Sequence, residues 1–187
     1  MPGRWSTEGS AADITPAWAV GVSDGLWAAG CRHVVYVPDN PLSHILAALA
    51  RDHEEVVTLL ATREEEAVGI AAGLYLGGAK PALLMQSSGV GNMLNALGSL
   101  LLAYQIPAVV IVSMRGDPGE WNWAQVPMGR AVGPVLDAFG VQHLSIDRAE
   151  EARSSVLAVA NLAFSTRTPA ACLLPRRLTV PVEGGRS

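Results

Sequence analysis

Three consecutive carboxylates, Glu64, Glu65 and Glu66, stand between Thr62 and a run of small apolar residues that ends near Gly73. Such acids can do one of two things. At a helix start they meet the positive end of the dipole, a purely structural role. On a buried face, a carboxyl group is pushed toward its protonated form and is suited to holding or passing a proton. Helical spacing separates the three. Thr62 reads as an N-cap, and Glu65, three residues on, completes a capping box. Glu64 shares its face with Ala67, Val68, Ala71 and Tyr75, an almost wholly apolar stripe. Glu66 turns toward Gly69, Ile70 and Gly73. On spacing alone, a chemical and a structural role for Glu64 stay equally open.

A second segment, Gln86-Ser-Ser-Gly-Val-Gly-Asn92, follows a strand candidate and opens a helix candidate. Backbone N–H groups at such a junction can meet a polar or anionic ligand. It is not a dinucleotide fingerprint, since the third glycine would fall at Leu94, and it has no Walker lysine. Close packing of helix on strand is the plain alternative. Asn92, Asn95 and Ser99 lie on one face of the helix that follows, and a buried helix at a subunit interface is the favoured account for Asn95 and Ser99.

Other candidates are single residues. Asp39 and Asn40, in Pro38-Asp-Asn-Pro41, end the first strand, where one of them caps a helix or meets a ligand. Arg115 follows a buried strand and reads as an anion clamp or a loop salt bridge. The four histidines and two cysteines have no metal-ligand spacing, and there is no Gly-x-Ser-x-Gly for acyl transfer.

The elements that carry these residues alternate. Strands are expected at 34–37, 56–60, 82–85, 108–113, 142–145 and 170–174. Helices are expected at 18–29, 41–51, 63–76, 92–104, 131–139 and 148–164. Continuous apolar strands between helices imply a three-layer α/β/α fold with a six-stranded, mostly parallel sheet. Residues 16–179 form one domain, with loose tails at 1–15 and 180–187. The stretch 115–130, with Trp121 and Trp123, fits neither period and reads as a long loop at the carboxyl end of a strand. Open α/β sheets bind ligands there.

Bulk properties narrow the partners. The 187 residues are 50% hydrophobic and 16% charged, which suits a globular core rather than a disordered chain. A net charge of −4 without a basic run argues against nucleic acid and anionic membranes, while a small anion needs only one arginine. No apolar stretch is long enough to span a bilayer, and no signal-peptide core is evident. Cys31 and Cys172 read as free thiols, so a cytoplasmic location is expected.

Taken in order, the segments resemble the pyrimidine-binding domain of thiamine-diphosphate enzymes. The likeness rests on Thr62-Arg-Glu-Glu-Glu-Ala-Val-Gly-Ile-Ala-Ala-Gly73, Gln86-Ser-Ser-Gly-Val-Gly-Asn92, Arg115-Gly116 and Gln125-Val-Pro-Met-Gly-Arg130. It runs from about Val20 to Leu178 and is nearest to the alpha subunits of sulfopyruvate decarboxylases, then to phosphonopyruvate decarboxylases. The resemblance implies that Glu64 is catalytic, hydrogen-bonding the ring nitrogen of the cofactor's aminopyrimidine. It implies cofactor contacts from Gln86, Ser87, Ser88, Gly89 and Asn92, and substrate contacts from Asp39, Asn40, Arg115 and Gln125, with no metal ligand on this chain.

Two departures qualify it. The Gly-Asp-Gly that holds Mg²⁺ and the diphosphate in two-domain members has no counterpart; the only Gly-Asp here, Gly116-Asp117, precedes Pro118. The length also leaves no room for a second such domain. A separate diphosphate-binding beta subunit carrying Mg²⁺ is therefore expected, with at least a homodimer of this chain. The second departure, Ser87 where the family usually has Asn, leaves the substrate open: sulfopyruvate, phosphonopyruvate or another small anionic 2-oxo acid. A carboligase of the acetolactate or acetoin type, and a non-catalytic scaffold, are the alternatives.

Overall fold

The computed structural model describes residues 15–180, and both expected tails lie mainly outside that range. The described chain alternates helix and strand throughout: α1 (Ala17–Ala28), β1 (His33–Tyr36), α2 (Asn40–Asp52), β2 (Val57–Leu60), α3 (Glu64–Leu76), β3 (Pro81–Gln86) and α4 (Ser87–Ala96). A π-helix (Leu97–Leu102) continues α4; β4 (Val109–Ser113), α5 (Val126–Ala138), β5 (Gln142–Ser145), α6 (Ala152–Thr166), β6 (Ala170–Leu174) and α7 (Arg176–Thr179) follow. All six expected strands are present, two with unchanged bounds.

The strands form one sheet in the order β2-β1-β3-β4-β6-β5, and every neighbouring pair is parallel. Strand periodicity of two then builds both cores. Val34, Ala82, Leu84, Val109, Ile111 and Cys172 face α1, α2 and α6; Val35, Leu83, Met85, Val110, Val112 and Leu173 face α3, α4 and α5. The central strands β3, β4 and β6 are apolar on both faces because both faces are covered. The edge strands β2 and β5 are largely exposed. Both thiols lie in the core, and burial lifts each to a pKa of about 12, so they stay protonated and inert.

Helix α1 lies close against α6. A Cβ placed on Gly25 would come within 2.7 Å of the Val156 Cβ, and one on Gly21 within 2.9 Å of the Ala152 Cβ. Only glycine permits that separation.

Three expectations change. The Gly-rich segment is not a loop: α4 begins at Ser87, and both of its first glycines sit inside the helix. The close-packing reading holds for them, because a Cβ on Gly89 would strike Glu64 and one on Gly91 would come within 2.9 Å of the Met128 Cε. The 115–130 stretch is a loop only in its first half; a 3₁₀ turn (Trp123–Gln125) leads into α5. The expected capping box does not form. Arg63, extended at φ −143° and ψ 158°, is the N-cap, so Glu66 rather than Glu65 lies three residues on. Its carboxylate accepts from the Thr62 N–H at 2.7 Å, while Glu65 only pairs with the exposed Arg63.

Candidate active site

The carboxyl ends of β1, β2, β3, β4 and β6 open toward one end of the sheet, and the polar residues named above gather there. Strand order reverses between β1 and β3, the topological switch point where open sheets place ligands. Two connected clusters occupy this end.

The first is built around Glu64, the first residue of α3. Ala67, Val68 and Ala71 fill the core beneath it, which leaves the Glu64 side of the helix no polar neighbour of its own. Glu64 is 7% exposed, one of four buried polar or charged residues among those described. Oε2 accepts from the Asn92 amide of α4 at 2.9 Å. Among the described residues Oε1 accepts no hydrogen bond. A Cβ on Gly89 would lie 2.4 Å from that oxygen, 2.6 Å from Cγ and 2.7 Å from Cδ. Gly89 thus opens the slot in which the carboxyl group lies flat against α4. Because the clash is with the free end of a side chain, Gly89→Ala is expected to displace Glu64 at little cost in stability. Thermal melting should move by only a few degrees, while any activity that depends on Glu64 falls roughly tenfold or more. Unchanged activity in a folded G89A chain would separate Glu64 from the chemistry.

The second cluster centres on Asp39. By position Asp39 is the N-cap of α2, yet its side chain makes no capping bond. The carboxylate turns inward instead. Oδ1 accepts from the Gln86 amide at 2.9 Å, and Oδ2 accepts from the Ser113 hydroxyl at 2.6 Å. Ser88 donates to the Gln86 Oε1 at 2.7 Å. Gln86 is also the N-cap residue of α4, so it joins the Asp39 cluster to the helix that holds Glu64. Ser113, fully buried at the end of β4, carried no signal in the sequence beyond its place at a strand end.

Arg115 is a loop salt bridge in this structure. Its Nε and Nη2 grip Glu120 at 2.7 and 3.2 Å, and Nη1 lies 3.9 Å from Asp39. Arg176 of α7 approaches the same Glu120 carboxylate at 3.8 Å. Hydrogen bonding from Arg115, helped by the Asn122 N–H and the two positive charges, holds the Glu120 carboxyl at about 2, well below its ordinary 4.5. Protons therefore bind the unfolded loop more tightly than the folded one. The tie is fully present above pH 4.5 and is lost as pH falls toward 2. Fluorescence of the exposed Trp121 and Trp123 is expected to report loop opening across that window in the parent chain. Glu120→Gln should lack that transition.

The other expected residues fall less centrally. Ser87 is fully buried, and its hydroxyl has no partner among the described residues, so it points into the protein rather than toward a ligand. Asn40 lies at the α2 start beside a cavity of about 230 Å³ that Arg115 also lines. The Gln125 side chain joins neither cluster by a hydrogen bond. Asn92 and Asn95 are solvent-exposed on α4, as is Ser99 in the π-helix. No group of three or more His, Cys, Asp or Glu gathers among the described residues in a way that could hold a metal ion. No helix among them is long and apolar enough to cross a membrane.

The chain is similar to known proteins in sequence and in fold. Sulfopyruvate decarboxylase subunit alpha of Methanococcus maripaludis is 39% identical over 145 residues, covering 78% of this chain and 86% of the relative. Phosphonopyruvate decarboxylase of Streptomyces viridochromogenes is 36% identical over 162 residues, covering 84% of this chain but 41% of the relative. Among solved structures, 2-oxoglutarate:ferredoxin oxidoreductase from Magnetococcus marinus superposes with a TM-score of 0.67 at 17% identity, over 87% of this chain and 29% of that one, which is a likeness of fold. Residues 19–122 match the N-terminal TPP binding domain of thiamine pyrophosphate enzymes. By that match, and by its identity to the decarboxylase subunits, the chain belongs to the thiamine pyrophosphate enzyme family.

Proposed function

We propose that this chain is the alpha subunit of a thiamine-diphosphate-dependent decarboxylase that converts sulfopyruvate to sulfoacetaldehyde and carbon dioxide, with phosphonopyruvate as the second substrate to test. The observation that carries the reading is Glu64: a buried carboxyl group, fixed on one oxygen by Asn92 and open on the other. The subunit naming of the 39% identical relative supports a partner chain, and the 36% identical relative supports a substrate with a second anionic group.

The residues fit the aminopyrimidine end of the cofactor. A carboxyl group in an apolar setting, with one unengaged oxygen, suits a heteroaromatic ring nitrogen, and Gly89 gives that carboxyl its room against α4. When bound, thiamine diphosphate supplies an electron sink for a 2-oxo acid losing its carboxylate. The chain's own work is narrower. Glu64 would hydrogen-bond the ring nitrogen, and the Asn92 amide fixes its Oε2. Asp39 is held at the mouth of the site by Gln86 and Ser113, in reach of Arg115. Gln86, Ser88, Gly89 and Asn92 would line the α4 side of the cofactor, whereas the buried Ser87 would not touch it. The diphosphate and Mg²⁺ belong to a beta subunit. The exposed Leu60, Leu76 and Tyr104, with the Asn92–Asn95–Ser99 face, offer surface for that chain or for a second copy of this one.

The test is co-expression with the candidate beta chain and an assay of carbon dioxide release from sulfopyruvate, phosphonopyruvate and pyruvate. Release from the first and its dependence on thiamine diphosphate are expected. Condensation products from pyruvate in place of carbon dioxide from sulfopyruvate would replace this reading with a carboligase.

A further inference from the structure

The cavity of about 230 Å³ beside Asn40 lies on the α2 and α7 side of the site. Its polar lining is Asn40, His44, Arg115, Arg176 and Thr179, with Trp121 at the rim. Every one of these polar side chains can donate a hydrogen bond, and none is a carboxylate. Glu120 stands behind the wall rather than in it, with its side chain 1% exposed. From there it grips Arg115 at two nitrogens and faces Arg176. Two flexible cations are thereby held in orientation. With Asp39 3.9 Å from the Arg115 Nη1 the charges of the group balance, and what the cavity offers an anion is convergent donors. Two further features point the same way. The start of α2 carries no side-chain cap, because Asp39 is engaged by Ser113 and Gln86; Pro41 has no N–H, so the Asn40 and Leu42 N–H groups are what the helix start contributes. The His44 ring is set edge-on to Trp18, with centroids 6.1 Å apart, which limits its rotation.

The volume suits a group of a few heavy atoms rather than a drug-sized ligand, which needs about 300 Å³ or more. Donors converge from three separate elements: α2, the loop after β4, and α7. A planar carboxylate accepts chiefly within one plane, whereas a tetrahedral oxyanion spreads three oxygens out of plane, which better matches donors from three elements. Asp39, 3.9 Å from the Arg115 Nη1, connects the cavity through Gln86 to the α4 start that flanks Glu64. We infer that this cavity is the subsite for the tetrahedral oxyanion of the substrate, the sulfonate or phosphonate at the end away from the departing carboxylate. Arg176 and His44 are its specificity-determining residues, and Glu120 is a positioning residue for both arginines. The identity of the substrate rests on the decarboxylase reading above; the binding of the anion does not.

The test has two arms. In the first, methanesulfonate, methylphosphonate and acetate are titrated into the full chain by calorimetry. The two tetrahedral anions are expected to bind, and to bind roughly tenfold more weakly or worse in Arg176→Gln and in His44→Ala. Arg177→Gln removes the same charge from an exposed neighbour paired with Asp147, and it should bind as the parent does. Equal affinity in Arg176→Gln and parent, or acetate bound as tightly as methanesulfonate, overturns the proposal. If Arg176→Gln fails to fold by circular dichroism, His44→Ala and Thr179→Val carry the same comparison. The second arm uses the assembled complex. KM for the sulfonated 2-oxo acid should rise roughly tenfold in the variant while kcat, and KM for pyruvate, change little. Anion binding with no change in that KM belongs to a free ion and overturns the assignment to substrate. A complex that releases no carbon dioxide sinks the decarboxylase reading, while calorimetry still judges the cavity.

Discussion

Glu64→Gln, assembled with the partner chain, is expected to lose at least roughly 100-fold in carbon dioxide release while the fold and the complex persist. The substitution keeps the shape and removes only the ability to hold and give up a proton, an ability worth about 10²–10⁴-fold where it is used. The stability change should be small. Asn92 is the only described partner of the carboxyl group, through Oε2, and the amide oxygen of a glutamine can accept the same bond. A loss of kcat with an unchanged melting temperature is therefore the signature of a chemical role. A loss of stability without a loss of kcat would make Glu64 a packing residue and sink the mechanism.

The second large effect is on folding. Gly129→Ala in α5 would bring a Cβ to 1.8 Å from the carbonyl oxygen of Arg115 and 2.5 Å from its carbon. Unlike the contact at Gly89, the obstacle is backbone, so no side chain can swing away. Either α5 or the strand end at Arg115 has to move. A cost of about 3 kcal/mol is expected. For a chain of this size that lowers the melting temperature by roughly 6–12 °C. The displaced segment carries Arg115, so anion affinity should fall together with stability. Gly133→Ala, on the same helix, serves as the control: its nearest neighbour would be His143 at 3.8 Å, an ordinary contact. Equal melting temperatures for the two variants would contradict the close approach of α5 to Arg115.

Much of this fold is written in periodicity. The apolar runs at β3, β4 and β6 are continuous because two layers of helix cover them, and that pattern survives in a single sequence. The turn of Glu64 toward an apolar stripe is likewise a matter of counting residues. What counting cannot supply is tertiary override of local preference. Asp39 has the position and type of a helix cap, yet two donors from distant strands, Gln86 and Ser113, claim its carboxylate. The glycines at 89 and 91 resemble a flexible loop, because a sequence does not state that Glu64 and Met128 occupy the space where side chains would go. Glu120, Arg176 and His44 are separated by more than 50 residues and have no motif in common; only the fold brings them to one cavity. Arg115 reads from the sequence as either an anion clamp or a loop salt bridge, and the structure shows the salt bridge, to Glu120.

The glycine seam between α1 and α6 carries a consequence for how the chain reaches this state. Helix α1 comes from the first described residues and α6 ends at Thr166, so the seam closes only when nearly the whole chain is available. The strand order has the same character: β4 pairs with β6, and β6 then receives β5. Contacts this distant along the chain make folding slow, because the loop must be closed before the contact stabilises anything. During synthesis, the apolar side of α1 waits uncovered until α6 emerges. A bulkier side chain at Gly25 or Val156 would keep α6 from closing on α1, and the apolar side of α1 would stay exposed after synthesis ends.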